Sequence, residues 1–386
     1  MINWDANATY GLSQLDLNKY QEILQKGLNP SSIHYGGQFS RAIIEECREL
    51  LAKIIIADKK DKIIFTSGAT EANNSIIRSV FQETLLNQQK FFAITTAIEH
   101  PSILEPLNKT SGFGSKIISL KPNPELLFES AKILEICKED TMLLCIMYAN
   151  NETGQILPVK ETAAAIKNKY PKIHIHVDGV QALGKAQFSF QDLNIDSASF
   201  SAHKVGGFPG VGALVLKDNG EFIPLVSGGP QETKFRAGTE NWIGIASFRT
   251  ALERIREEKI EIRSLKMRQV TDKIIEGIKS KINNAEVLFE NIEKLPNTIS
   301  VRFKGIRADD LIVAADLAGL YLSTGSACSS GKVDPSPVLL ALGLSEEDAK
   351  EVVRISIRGD EQEKDIIVGL NILSKTINNF SGQVSL

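Results

Sequence analysis

"KIHIHVDGVQALGK" at residues 172–185 and "SASFSAHKVGG" at 197–207 decide how this chain folds. Each starts as a short run of strand-forming residues and breaks into a turn of small ones, as a strand does when it delivers its last side chains to a loop. In the first run alternate side chains share a face, so His174, His176 and Asp178 stand on one side and Ile173, Ile175 and Val177 on the other. Similar runs recur at "KIIFTS" (62–67), "FFAITT" (91–96), "KIISL" (116–120), "TMLLCIMYA" (141–149) and "GALVLK" (212–217). Amphipathic stretches such as "EANNSIIRSVFQETLLNQ" and "VKETAAAIKNKY" lie between them. Strands alternating with helices predict an α/β fold with a largely parallel sheet covered on both faces. The charged stretch 242–282 predicts one long helix that bridges to a smaller unit, where "NTISVRF", "DDLIVAADLAGLYLS" and "EEDAKEVVRISI" mix strand and helix.

A length of 386 residues suits two domains. The net charge of −3, with no basic stripe, gives nucleic acid no footprint. No apolar run approaches the length of a membrane span, and the first residues, "MINWDANATYGLSQLD", lack a basic region followed by an apolar one. A cytoplasmic protein is the expectation. Four cysteines, Cys47, Cys137, Cys145 and Cys328, form no CxxC pair, which argues against a disulfide framework and a zinc site.

In an open α/β sheet, ligands bind where strands end, so the loops carry the search. Gly68, Ala69 and Thr70 follow one run and open a helix, a turn that serves either as a simple cap or as a phosphate cup with free N–H groups. Asp178 ends another run, and its face reads either as a solvated strand end, as part of a metal set with His174 and His176, or as the counter-charge of a protonated heterocyclic nitrogen. The last of these requires a lysine nearby. Lys204 stands 26 residues on, in "SFSAHKVGG", after Ser201 and His203. A lysine at a strand end forms a Schiff base with an aldehyde once burial removes its charge. Lys204, Asp178 and the Gly68–Thr70 turn together supply what pyridoxal phosphate needs: an aldehyde partner, a pyridinium partner and a phosphate cup.

With these residues placed, the sequence resembles the cysteine desulfurases, within the class V aminotransferase family of fold-type I pyridoxal-phosphate enzymes. The motifs that carry the resemblance run from "WDANAT" through "NPSSIHYGG", "FTSGATEANN", "EHPSI", "NNETG", "HVDGVQALGK", "SFSAHKVGG", "RAGTEN" and "STGSACSSG" to "VVRISI". It implies a large domain over 12–255, built on a mostly parallel seven-stranded sheet sandwiched by helices. A smaller α+β domain from 1–11 and 256–386 would carry the cysteine loop.

The resemblance also implies roles. Lys204 would bind the cofactor and move protons at the substrate Cα. Asp178 would pair with the ring nitrogen, Gln181 with the ring hydroxyl, and His100 would stack on the ring and assist proton transfer. Asn151 would lie near the ring hydroxyl and the amino acid. Thr70, Ala69, Ser201 and His203 would hold the phosphate, with Thr239 reaching in from a second subunit of a homodimer. Arg354 would fork onto the carboxylate of L-cysteine. Cys328, on the longer loop that "GSACSSG" marks, would be the nucleophile that takes up sulfur as a persulfide, for transfer to a scaffold or carrier protein in iron–sulfur, tRNA or cofactor thiolation. Selenocysteine lyases, cysteine or cystine C–S lyases and aminotransferases are one set of alternatives, which Cys328 separates from a desulfurase; a catalytically retired partner protein is another, which predicts loss of Lys204, Asp178 or Cys328, and all three are present. Cys47 and Cys145 read as core and Cys137 as a helix-face residue, while His174 reads as a solvated strand position. His34 and Asn29 belong to the "NPSSIHYGG" element without a role of their own. Two stretches depart from the family pattern: "GGFPGVG" lacks the lysine of the usual turn, and "SGGPQETKFRAGT" substitutes Pro230, Thr233 and Lys234.

Overall fold

The computed structural model describes residues 1–11, 17–123, 125, 128–218, 222–325 and 334–383. Seven strands form the main sheet: β1 (Lys62–Thr66), β2 (Phe92–Thr96), β3 (Lys116–Leu120), β4 (Leu143–Met147), β5 (His174–Asp178), β6 (Ser197–Ser201) and β7 (Gly212–Leu216). Their order is β1-β7-β6-β5-β4-β2-β3, and β7 alone runs against the rest. Each strand coincides with one of the apolar runs. β2, β4, β6 and β7 are buried at all five positions, as a sheet covered on both faces requires.

Alternation divides the core. Leu144, Ile146, Ile175 and Val177 pack on one face, and Leu143, Cys145, Ala93 and Leu214 on the other, against Ala72, Ile76 and Ile77 of helix α2 (Ala69–Leu86). The other helices that matter for the site are α1 (Tyr35–Ile54), α3 (Pro101–Thr110), α4 (Val159–Lys169), α5 (Trp242–Glu258), α6 (Ile260–Lys281), α7 (Ala308–Leu317) and α8 (Glu363–Gln383).

The expected single helix over 242–282 is two. Lys259 breaks it, with φ 57° and ψ 135°. Glu and Lys at the break give no sequence warning; the helices separate because α5 packs on the main sheet's core and α6 on a second one. That second core joins Met267 and Ile274 of α6, Leu311 of α7 and Leu373 of α8 to a four-stranded antiparallel sheet, β10-β11-β9-β8. Its strands are β8 (Ala285–Leu288), β9 (Thr298–Phe303), β10 (Ser323–Thr324) and β11 (Val352–Ser356). The N-terminus belongs to this unit in space. Ile2–Asn3 pairs with Leu320–Tyr321, Asp5 bridges to Ser356, and Trp4 is fully buried in the second core.

Cys47, Cys145 and Cys137 are all buried. For Cys137 this corrects the helix-face reading: it ends its helix, and its thiol donates to the Ile133 carbonyl at 3.2 Å. Cys328 falls in 326–333, outside the described residues.

Candidate active site

The parallel strands end along one edge of the sheet, and the turns beyond them gather polar groups there. β1 leads into Gly68, which caps α2, so first-turn N–H groups of a long helix open to this edge. Ala69 is buried and Thr70 exposed. Gly212 permits the turn: a Cβ there would stand 2.6 Å from the Gly68 backbone and from the Phe200 carbonyl oxygen. Ser201 ends β6, and a single 3₁₀ turn, Ala202–Lys204, follows it.

Asp178, at the end of β5, is 7% exposed. The Val180 N–H donates to its Oδ1 at 3.1 Å and the Asn73 amide to its Oδ2 at 3.0 Å. His100 caps α3, and its Nδ1 accepts from the Ser102 N–H at 3.1 Å. Burial pushes the His100 imidazole below its usual range, while Asp178 raises it and Lys204 lowers it, so both of those charged groups act on the imidazole. His203 is driven down to about 4 by burial, with Lys204 and Lys185 adding repulsion. Its Nδ1 lies 3.1 Å from Thr9 Oγ1.

The Lys204 amine donates to the carbonyls of Asn7 and Ala8, at 2.8 and 2.9 Å. The Gln181 amide reaches the same Asn7 carbonyl at 3.3 Å. Asn7 is thus a hub that no sequence reading singled out. Its side chain accepts from Lys185 at 2.9 Å and from Asn297 at 3.0 Å, and donates to Thr298 at 2.9 Å and to the Asn151 carbonyl at 3.1 Å. Through it the second unit holds the strand-end loops of the first. Lys185 was missed as well. It is 2% exposed and also donates to Gln181 Oε1, and burial depresses its ammonium, with Lys204, Arg354 and Arg263 adding to the effect. The signal available for it was a lysine four residues beyond Gln181 in an otherwise apolar stretch.

Arg354, on β11, faces the same space. Its Nη2 donates to Asp5 at 2.6 Å and its Nη1 to the Asn151 carbonyl at 3.3 Å, while its Nε is buried with no hydrogen-bond partner among the described residues. An orphaned guanidinium donor of this kind fits a seat for a carboxylate.

Other expected residues stand apart. Thr239 is exposed, on a cavity of about 110 Å³ lined also by Ser67, Arg236 and Gly238. His34 and Asn29 shape their own turn, accepting from the Gly37 and Ser31 N–H groups. His174 is half-buried rather than solvated, with Nε2 2.8 Å from Ser197 Oγ.

Pyridoxal phosphate fits this set of groups. A buried carboxylate held by two donors would suit a ring N–H, the Lys204 amine lies within electrostatic reach of His100 as Asp178 does, and the helix N-terminus at Gly68 would suit a phosphate.

The family model for aminotransferase class-V matches residues 2–367. A cysteine desulfurase, IscS, of Dictyoglomus turgidum is 36% identical over 92% of this chain and 89% of its own length. A cysteine desulfurase of Nostoc sp. is 35% identical over 85% of this chain and 80% of its own. Among solved structures, a NifS-like protein superposes with a TM-score of 0.88 at 32% identity, covering 98% of this chain and 99% of that one. SspA in complex with cysteine superposes with a TM-score of 0.79 at 27% identity, over 94% and 100% of the two chains. With fold, site and relatives in agreement, the chain belongs to the class-V aminotransferase family.

Proposed function

We propose that this chain is a pyridoxal-phosphate-dependent cysteine desulfurase that converts L-cysteine to L-alanine and carries the sulfur as a persulfide on Cys328. The observation that supports it most is the gathering of Lys204, Asp178 and His100 at one edge of the sheet, with the Arg354 guanidinium turned toward the same space.

Pyridoxal phosphate, when bound, supplies an aldehyde for the substrate amine and a ring that withdraws electrons from Cα. Asp178, Gln181 and His100 hold the ring; Ala69, Thr70, Ser201 and His203 hold the phosphate, with Thr239 contributed across a homodimer. Arg354 grips the substrate carboxylate beside Asn151, and Lys204 moves the proton at Cα. The Cys328 thiolate attacks the substrate sulfur. The Cβ–S bond breaks, an S–S bond forms, and Cβ takes a proton. Cysteine plus enzyme thiol gives alanine plus enzyme persulfide, with no other oxidant or reductant required. The persulfide then passes to an acceptor protein in the cytoplasm. The units 12–255 and 1–11 with 256–386 would serve as the cofactor domain and the domain bearing Cys328.

The test mixes the purified, cofactor-loaded chain with L-cysteine and a thiol reductant, and measures alanine, sulfide and pyruvate. Native chain should give alanine and sulfide in equal amounts, and Cys328→Ala neither. Pyruvate in place of alanine, or equal sulfide from both chains, would reject the proposal.

A further inference from the structure

A chain of hydrogen bonds runs along the polar face of β5 to Asn73 of α2, where it branches to Asp178 and, through Ser102, to His100. His174 Nε2 and His176 Nδ1 each lie 2.8 Å from Ser197 Oγ. His176 Nε2 lies 2.9 Å from Asn73 Oδ1. Asn73 Nδ2 donates to Asp178 Oδ2 at 3.0 Å and to Ser102 Oγ at 2.8 Å, and Ser102 Oγ lies 2.8 Å from His100 Nδ1. Asn73, His176 and Ser197 are fully buried.

The proton inventory of this chain follows from its ends. The Asn73 amide turns its NH₂ toward Asp178 Oδ2, which accepts, and its carbonyl toward His176. His176 Nε2 must then carry its hydrogen. Burial drives the His176 imidazole down to about 3, which keeps it neutral and leaves Nδ1 bare. The Ser197 hydroxyl donates to that nitrogen and accepts from His174. At the other end the Ser102 N–H already donates to His100 Nδ1, so that nitrogen is bare too. The Ser102 hydroxyl therefore donates to His100, and its oxygen is left to accept the second amide hydrogen of Asn73. Each contact between side chains in this chain then has one donor and one acceptor, with the single lone pair of His100 Nδ1 shared by the Ser102 N–H and hydroxyl. Because an amide does not hand a proton from its nitrogen to its oxygen at ordinary pH, the chain orients groups rather than conducting protons.

We infer that Asn73 is a positioning residue: its one amide, aimed by His176, fixes the Asp178 carboxylate and, through Ser102, the hydrogen-bonding face of His100. The inference rests on the proposed function for the meaning of Asp178 and His100. It explains how the two residues proposed to flank the cofactor ring present complementary groups, a carboxylate and an Nε2–H, from different strand ends.

The test is ¹⁵N NMR of histidine-labelled full-length protein, with and without cofactor, together with cofactor labelled at the ring nitrogen. In the native chain His100 and His176 should both show hydrogen on Nε2 and a bare Nδ1, and the ring nitrogen should be protonated. Asn73→Ala should move the ring-nitrogen signal toward neutral pyridine and mix the His176 tautomers. Ser102→Ala should alter His100 alone, and Ser102→Thr should restore it. If Asn73→Ala does not fold, His176→Phe, which removes the donor that aims the amide, should give the same ring-nitrogen shift. Native signals in a folded, cofactor-loaded Asn73→Ala or His176→Phe chain would overturn the inference, as would hydrogen on His176 Nδ1 in the native chain. Failure to bind cofactor at all would instead strike the proposed function, because the histidine tautomers are read without it.

Discussion

Arg354 donates through Nη2 to Asp5 Oδ1 at 2.6 Å, an ion pair that ties the small sheet's β11 to the N-terminal segment. Its side chain is 3% exposed and that of Asp5 24%, so the pair is shielded and its geometry matters. Arg354→Lys keeps the charge and loses the fork, and should lower kcat/KM for cysteine on the order of 100-fold, or about 2.7 kcal/mol. Asp5→Ala leaves the guanidinium in place but unsteered, and should raise KM roughly 10-fold with little change in kcat. Steady-state alanine formation decides both, and an unchanged KM in Asp5→Ala would show that the pair does not position Arg354.

Lys185 is the second place where burial sets the outcome. Its ammonium is depressed when folded, so the unfolded chain binds the extra proton and stability from this group rises with pH until the ordinary lysine value of 10.5. Lys185→Met removes that slope and leaves Gln181 Oε1 without its donor, a loss of about 1–3 kcal/mol. The variant's deficit in urea unfolding should therefore be largest near pH 10 and shrink as pH falls. A deficit independent of pH would mean that Lys185 stays charged in the fold.

These residues also mark how far the sequence could be read. The seven strands were legible as short runs set between helical patterns and turn residues, even where, as in Ser197–Ser201, none of the residues is β-branched, and Asp178 fell on its predicted face because a strand's period is fixed. What was not legible is contact across distance. Nothing local in "WDANAT" says that Asn7 will meet Lys204, Gln181, Lys185 and Asn297, since those meetings exist only once the second unit docks. Lys259 carries no helix-breaking side chain; two cores pulling on one helix break it there.

Glu99 lies next to His100 in the chain and faces the interior. The Thr96 hydroxyl and the Met147 N–H both donate to its Oε1, at 2.6 and 2.9 Å, and its Oε2 is buried with no partner among the described residues. Burial, with Asp178 adding to it, pushes the carboxyl up to about 8. The folded chain then keeps a proton that the unfolded chain sheds, so this group's contribution to stability falls as pH rises from about 4.5 to 8 and is level above that. Glu99→Gln keeps the accepting oxygen and cannot ionise. Relative to native protein, its unfolding free energy should climb across that interval, by up to about 1.4 kcal/mol per pH unit. A flat difference from pH 5 to 8 would place a charged carboxylate at Glu99.

Gly325 stands three residues before Cys328, against a carboxylate that has little room to move. A Cβ there would lie 2.1 Å from Glu152 Oε2 and 3.3 Å from Ser336 Cβ. Glu152 is 6% exposed. The Ser336 hydroxyl donates to the same Oε2 at 2.5 Å, and the Glu152 backbone is held by Asn150 Oδ1 and Ser300 Oγ at 2.9 Å each. The added methyl must therefore push either the Glu152–Ser336 contact or its own backbone, an overpacking of about 1–3 kcal/mol. Displacement of this order three residues before Cys328, the proposed nucleophile, should slow single-turnover alanine formation roughly 10- to 100-fold in Gly325→Ala. Asp178, His100 and Lys204 lie elsewhere, so the visible band of the bound cofactor and its change on adding cysteine should stay native. A native single-turnover rate would show that the turn at Gly325 has no part in placing Cys328. A lost cofactor band would show that the strain travels past Glu152 into the strand-end loops.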